Sequence, residues 1–175
     1  MIICAGEIEE FDFALPIGIG MTDVAINLTR LCLSKKPTFL LFVGTAGSFG
    51  EKKIFDIIES KTAANIENSF FTGGSYTPID NLVSTAEDVS RETIVNSSNY
   101  ITTDQSLCKA YLSKNIHLEN MEYYAVLKVA KSFDIPAAGV FIITNYCDEN
   151  AHKEFIKNHK EAMIRLTEYI NESKK

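Results

Sequence analysis

At 175 residues the chain lies within the span of one ordinary domain and is long enough to bury a core of its own, so a single domain over residues 1–175 is expected. Hydrophobic residues at 46% and charged residues at 23% exclude a disordered or fibrous chain. A formal charge of −6, with lysine and arginine scattered instead of gathered into a stripe, excludes a phosphate-backbone binder, and no nucleic-acid partner is expected.

Met1 to Gly20 reads as two strands around a polar turn, with Ile2 and Ile3 in the first, Glu7 to Glu10 at the tip, and Phe11, Phe13, Leu15 and Ile17 alternating in the second. From Thr22-Asp23 the spacing of Val24, Ala25, Leu28, Leu31 and Cys32 predicts a helix that stops before Pro37. Phe39-Leu40-Leu41-Phe42-Val43 is an unbroken apolar run, the pattern of a strand covered on both faces. It leads into Gly44-Thr45-Ala46-Gly47, expected as a loop joining it to a second strand around Ile54 to Ile58.

Residues 65–92 are polar and predict a long loop anchored by Phe70, Phe71 and Tyr76. Ile94 to Ile101 reads as a strand and Leu107 to Leu112 as a short helix. Met121 to Phe133 predicts a helix ended by Asp134-Ile135-Pro136, Ala137 to Thr144 a buried strand, and Ala151 to Asn171 a last amphipathic helix. Strands alternating with helices imply a layered α/β domain.

Cys4, Cys32, Cys108 and Cys147 show no paired spacing, which fits reduced thiols in a cytoplasmic protein. His117, His152 and His159 are too dispersed for a metal site, and no cofactor is expected. The apolar runs fall far short of the ~20 residues that span a bilayer. Met1-Ile2-Ile3-Cys4 lacks the basic start of a signal peptide, so no membrane partner is expected.

In open α/β sheets ligands collect at the carboxyl ends of strands. Those ends here hold Gly18-Ile19-Gly20, Gly44-Thr45-Ala46-Gly47, Ser98-Asn99-Tyr100 and Thr144-Asn145, with Asn120-Met121-Glu122 opening the intervening helix. In order and spacing these motifs resemble the purine nucleoside phosphorylase and nucleosidase superfamily, which includes uridine phosphorylases and methylthioadenosine/adenosylhomocysteine nucleosidases. The resemblance covers most of the chain. Its Met-Glu motif, followed by a helix, a turn and a strand ending in Ser-Asp, is similar to Met121-Glu122 through Ile135-Pro136 to Thr144-Asn145, and 23 positions separate Glu122 from Asn145.

The resemblance implies a three-layer α/β domain with a mixed central sheet flanked by helices, a small-molecule nucleoside or purine base as partner, and a homo-oligomer. In relatives, aromatic residues of a neighbouring subunit close the sugar pocket, for which Phe70, Phe71 or Tyr76 are the candidates. It implies that Glu122 accepts hydrogen bonds from ribose hydroxyls, although a glutamate at a helix start is also stabilised by the dipole. Met121 packs on the sugar or in the core. Tyr100, with Ile101 beside it, stacks on the base or is a buried strand tyrosine. Gly20, Thr45, Ala46 and Gly47 complete the substrate-binding set. Asn120 replaces an acidic residue that some nucleosidases carry.

Asn145 stands where such enzymes keep a proton-donating aspartate. An amide donates a hydrogen bond but delivers no proton, and general acid catalysis is typically worth ~10²–10⁴-fold. One branch of the family uses an asparagine to hold 6-oxopurines, and Asp148 would substitute as acid only if its loop folds back. Phosphate, a possible co-substrate, is bound in hexameric phosphorylases by an arginine where this chain has Phe42. Gly20 N–H with Arg30 or Arg91 is the alternative.

Counting back from Gly20 puts Met1 onward on the family's hairpin, which leaves out its first strand and water-activating glutamate. Glu7, Glu9 and Glu10 then read as a solvated hairpin tip. The expected function is binding a purine nucleoside and cleaving its N-glycosidic bond, with Asn145 and Glu122 as the catalytic pair. The alternative is a catalytically impaired nucleoside- or base-binding homologue.

Overall fold

The computed structural model describes residues 1–88 and 92–173, so Arg91 lies outside the described residues. Along them run β1 (Ile2–Cys4), β2 (Leu15–Pro16), α1 (Gly20–Lys35), β3 (Leu40–Ser48), β4 (Ile57–Ser60), β5 (Thr62–Ala64) and α2 (Asn68–Phe71). Then follow β6 (Leu82–Ser84), β7 (Ile94–Ser97), α3 (Cys108–Leu112), β8 (Ile116–Asn120), α4 (Tyr123–Ser132), β9 (Ala137–Tyr146) and α5 (Ala151–Glu172). All the strands belong to one mixed sheet, the layered α/β architecture expected.

The sheet is organised around β3. One side of β3 pairs in parallel with β9 from Leu40↔Ala137 to Ser48↔Tyr146, and β4 lies antiparallel on the far side of β9. Its other side pairs in parallel with β1 at Ile2↔Leu41, then antiparallel with β8 at Gly47↔Glu119, from which β7, β5 and β6 continue. Alternate residues of β3 and β9 enter different cores, as the period of two in a strand requires. Leu40, Phe42, Phe141 and Ile143 pack with α1 and α4 residues such as Leu28 and Leu127, whereas Val43, Val140 and Ile142 pack with Ala162, Leu166 and Ile170 of α5. From Leu40 to Val43 the apolar run is thus a strand covered on both faces, whereas Phe39 precedes the strand and is exposed.

Several expectations are corrected. Ile2–Cys4 and Leu15–Pro16 are not a hairpin: they pair in parallel, Ile3↔Leu15, and a tight turn cannot connect parallel strands. Residues 5–14 therefore loop across the end of the sheet, with Phe11 buried against the α5 core. Gly44-Thr45-Ala46-Gly47 is not a loop but the last part of β3, with a register shift between Ala46 and Gly47. The following strand begins at Ile57, and β7 stops at Ser97, leaving Tyr100 in an irregular segment. The polar stretch 65–92 contains α2 and β6, while β5 and β8 are short strands that the sequence reading did not assign.

Candidate active site

A cavity of about 230 Å³ opens at the carboxyl ends of β1, β3, β7, β8 and β9, beside the starts of α1, α4 and α5. Thr45, Ala46, Gly47, Tyr100, Ile101, Asn120, Met121, Glu122 and Asn145 all line it. Gly20 does not, but acts on it through Glu122.

Glu122 is held by three donors. The N–H of Gly20, at the start of α1, donates to Oε1 at 2.8 Å, and Asn120 Nδ2 and the Met121 N–H donate to Oε2, each at 3.1 Å. Burial pushes its carboxyl up to about 7; these backbone bonds pull it down, and Glu9 across the cavity pushes it up again. Asn120 Oδ1 accepts from the Ser97 hydroxyl at 2.9 Å and from the Tyr123 N–H at 3.1 Å. Both ends of Asn120 are thereby engaged within the protein, and one side chain caps α4 while orienting the carboxylate beside it.

Glu9 corrects the reading of the amino terminus. It is not at a solvated tip: one carboxylate oxygen accepts the Thr45 N–H at 3.2 Å and the other accepts the Thr45 hydroxyl, and Glu9 lines the cavity. β1 is a strand parallel to β3 followed by acidic residues, the arrangement that the residue count had left out. A Cβ on Gly44 would lie 2.9 Å from Glu9 Oε2, so a side chain there would push this carboxylate away from its place on β3.

Asn145 is oriented by its own strand. The Thr144 hydroxyl donates to Oδ1 at 2.9 Å, and Nδ2 donates one hydrogen to the Tyr146 carbonyl at 3.0 Å, leaving the second amide hydrogen for a ligand. A Cβ on Gly47 would approach Nδ2 to 2.9 Å, the second place in the motif where a side chain would displace a group of the site. Asp148 does not replace it: its carboxylate accepts the Asn150 N–H at 2.8 Å, ahead of α5, and it borders a separate groove with Cys108 and Cys147.

Tyr100 is 78% exposed at the rim, not a buried strand residue. Phe42 is buried between Tyr123 and Phe141. Arg30 is exposed on α1 and does not line the cavity. Sequence reasoning missed Glu119, His152 and Phe155, which border the cavity without belonging to a motif. Among the described residues no group of three or more His, Cys, Asp or Glu is placed to hold a metal ion, and no helix is long and apolar enough to cross a membrane.

A family model described as the phosphorylase superfamily matches residues 3–173. Of solved structures, 5′-methylthioadenosine/S-adenosyl homocysteine nucleosidase from Helicobacter pylori superposes with a TM-score of 0.80 at 15% identity, covering 98% of this chain and 95% of that one. Futalosine hydrolase from Helicobacter pylori gives 0.80 at 16% identity, covering 97% and 94%. The nucleosidase of Streptococcus pneumoniae with a transition-state inhibitor gives 0.77 at 14% identity, covering 97% and 95%. At such identities the likeness is one of fold. No curated protein sequence matches the chain.

Proposed function

The chain belongs to the phosphorylase superfamily, the family of nucleoside phosphorylases and nucleosidases, and on that premise we propose that it binds a purine nucleoside and cleaves the N-glycosidic bond with water. The observation that carries the reading is the convergence of Glu9, Glu122 and Asn145 on one cavity. In this reading Glu122 accepts hydrogen bonds from the ribose hydroxyls, and Met121 packs beside it on the sugar. Tyr100 and Ile101 cover the base.

Cleavage builds positive charge on the sugar and negative charge on the departing base. Glu9, held against Thr45, takes the proton of the attacking water as its oxygen bonds to the anomeric carbon. The free amide hydrogen of Asn145 stabilises the electron pair that leaves with the base, which then takes its proton from solvent.

Water is favoured over phosphate by the charge of the wall. Its described residues include Glu9, Glu119 and Glu122 and no lysine or arginine, and the Gly20 N–H that would meet an anion already donates to Glu122. A phosphate dianion there meets like charges at short range. Asn145 supports the second reading, a nucleoside- or base-binding homologue with impaired turnover, because it supplies no acid. A homo-oligomer closing the sugar pocket is also proposed. Phe70 and Tyr76 are exposed, which is compatible with that role, whereas Phe71 packs on Tyr111 within the chain.

The test is to incubate the purified protein with inosine, adenosine and methylthioadenosine, with and without phosphate, and to follow base release by chromatography. Release that does not depend on phosphate is expected. No base above the blank rejects the enzyme reading, and calorimetric nucleoside binding in that case selects the second. In an active protein, Asn145→Asp should raise adenosine turnover about 10²-fold, the low end of a general acid's contribution; an unchanged or lower rate counts against a missing acid.

A further inference from the structure

We infer that Glu119 is a positioning residue of this pocket: by gripping Thr102 it fixes the segment that carries Tyr100 and Ile101 over the cavity, and so sets affinity for the base without touching the reacting bond. The inference rests on the nucleoside-pocket reading above.

Glu119 lies on β8, belongs to none of the motifs, and is 7% exposed. Both of its oxygens are taken by one residue: Oε1 accepts the Thr102 N–H at 2.7 Å and Oε2 the Thr102 hydroxyl at 2.6 Å. Such bonds to a buried carboxylate are short and strong, and without them the desolvated charge is costly. Burial raises the Glu119 carboxyl above its usual range, and the two bonds from Thr102 act against that rise.

The segment from Ser98 to Asp104 has no helix or strand to hold it. At its start the Ser98 N–H donates to the Asn120 carbonyl at 3.2 Å, and the Tyr100 N–H donates to Ser98 Oγ at 3.1 Å. At Thr102 the anchor is Glu119. Between these two points Tyr100 and Ile101, the latter 55% exposed, border the cavity. The position of the lip therefore depends on the Thr102 anchor, which Asn68 Oδ1, 3.3 Å from the same hydroxyl, extends toward α2.

The test compares Glu119→Leu with Glu119→Gln. Glutamine keeps an oxygen for the Thr102 N–H, and its amide donates to the Thr102 hydroxyl, which turns its own hydrogen to Asn68; leucine keeps neither bond. If the loosened lip is competent about a tenth of the time, apparent affinity falls about tenfold. Glu119→Leu should thus raise KM for nucleoside, and Kd for free adenine and hypoxanthine by calorimetry, by about that factor, with kcat within about threefold. Glu119→Gln should recover both constants.

Thr102→Val, which removes only the hydroxyl bond, should give a smaller rise of the same kind and decides the matter if the leucine variant does not fold. Wild-type KM in Glu119→Leu or Thr102→Val, or a loss confined to kcat, overturns the inference while leaving the pocket reading intact. A wild-type protein that neither binds nor releases base overturns both.

Discussion

Glu9→Gln is expected to lower base release by about 10²–10⁴-fold, the usual contribution of a general base, with the loss in kcat and little change in KM. Glutamine preserves the local structure, since its carbonyl oxygen accepts the Thr45 N–H and its amide donates to the Thr45 hydroxyl, replacing the two bonds that Glu9 accepts there. It cannot take a proton from water. Single-turnover base release beside a thermal melt separates the two effects. A variant that melts like the parent and keeps kcat within about threefold would show that Glu9 is not the base.

Glu122→Gln should act on both activity and stability, in opposite directions with pH. Burial pushes the Glu122 carboxyl up to about 7 from 4.5, so the fold favours its protonated form. The stabilisation from that preference is fully present below about 4.5, shrinks as pH rises through about 7, and is gone above it; the swing is on the order of 3 kcal/mol. Ribose binding needs the ionised form, so kcat/KM of the free protein should rise with pH through about 7 while Tm falls over the same interval.

Glutamine removes the titration. The variant should lose less Tm between pH 5 and pH 8 than the parent, and its residual kcat/KM, lower by about 100-fold or more for the loss of charge-assisted bonds to the hydroxyls, should lack the rise near pH 7. Glu119, also raised by burial, is common to both proteins and cancels in the comparison. Parallel Tm–pH curves for the two proteins would rule out Glu122 as the titrating group.

Both predictions depend on carboxylates whose legibility in the sequence differed. Glu122 was found from its spacing to Asn145 and its place before an amphipathic helix, because motif and helix are local. Glu9 was taken for a solvated residue, because alternation in Phe11, Phe13, Leu15 and Ile17 suggested a hairpin. Parallel pairing of Ile3 with Leu15 turns the intervening loop back over the sheet, and nothing in the local pattern distinguishes the two pairings. Glu119 was hidden in a similar way, and Asn120, singled out beside Met121-Glu122, gave no sign of its partners: only contacts across space reveal that one grips Thr102 and the other orients Glu122.

The sequence by itself determined the α/β layering, the doubly covered strand from Leu40 to Val43, the glycines near the site and the amide at Asn145, since each follows from residue type and short-range spacing. Tertiary structure decided what those features do. It made Gly44 and Gly47 clearances for Glu9 and Asn145, engaged the Gly20 N–H on Glu122 instead of an anion, and brought Glu9 to Thr45 across 36 positions. Such partnerships depend on strand order and on which atoms desolvation forces together, and neither is written in local periodicity.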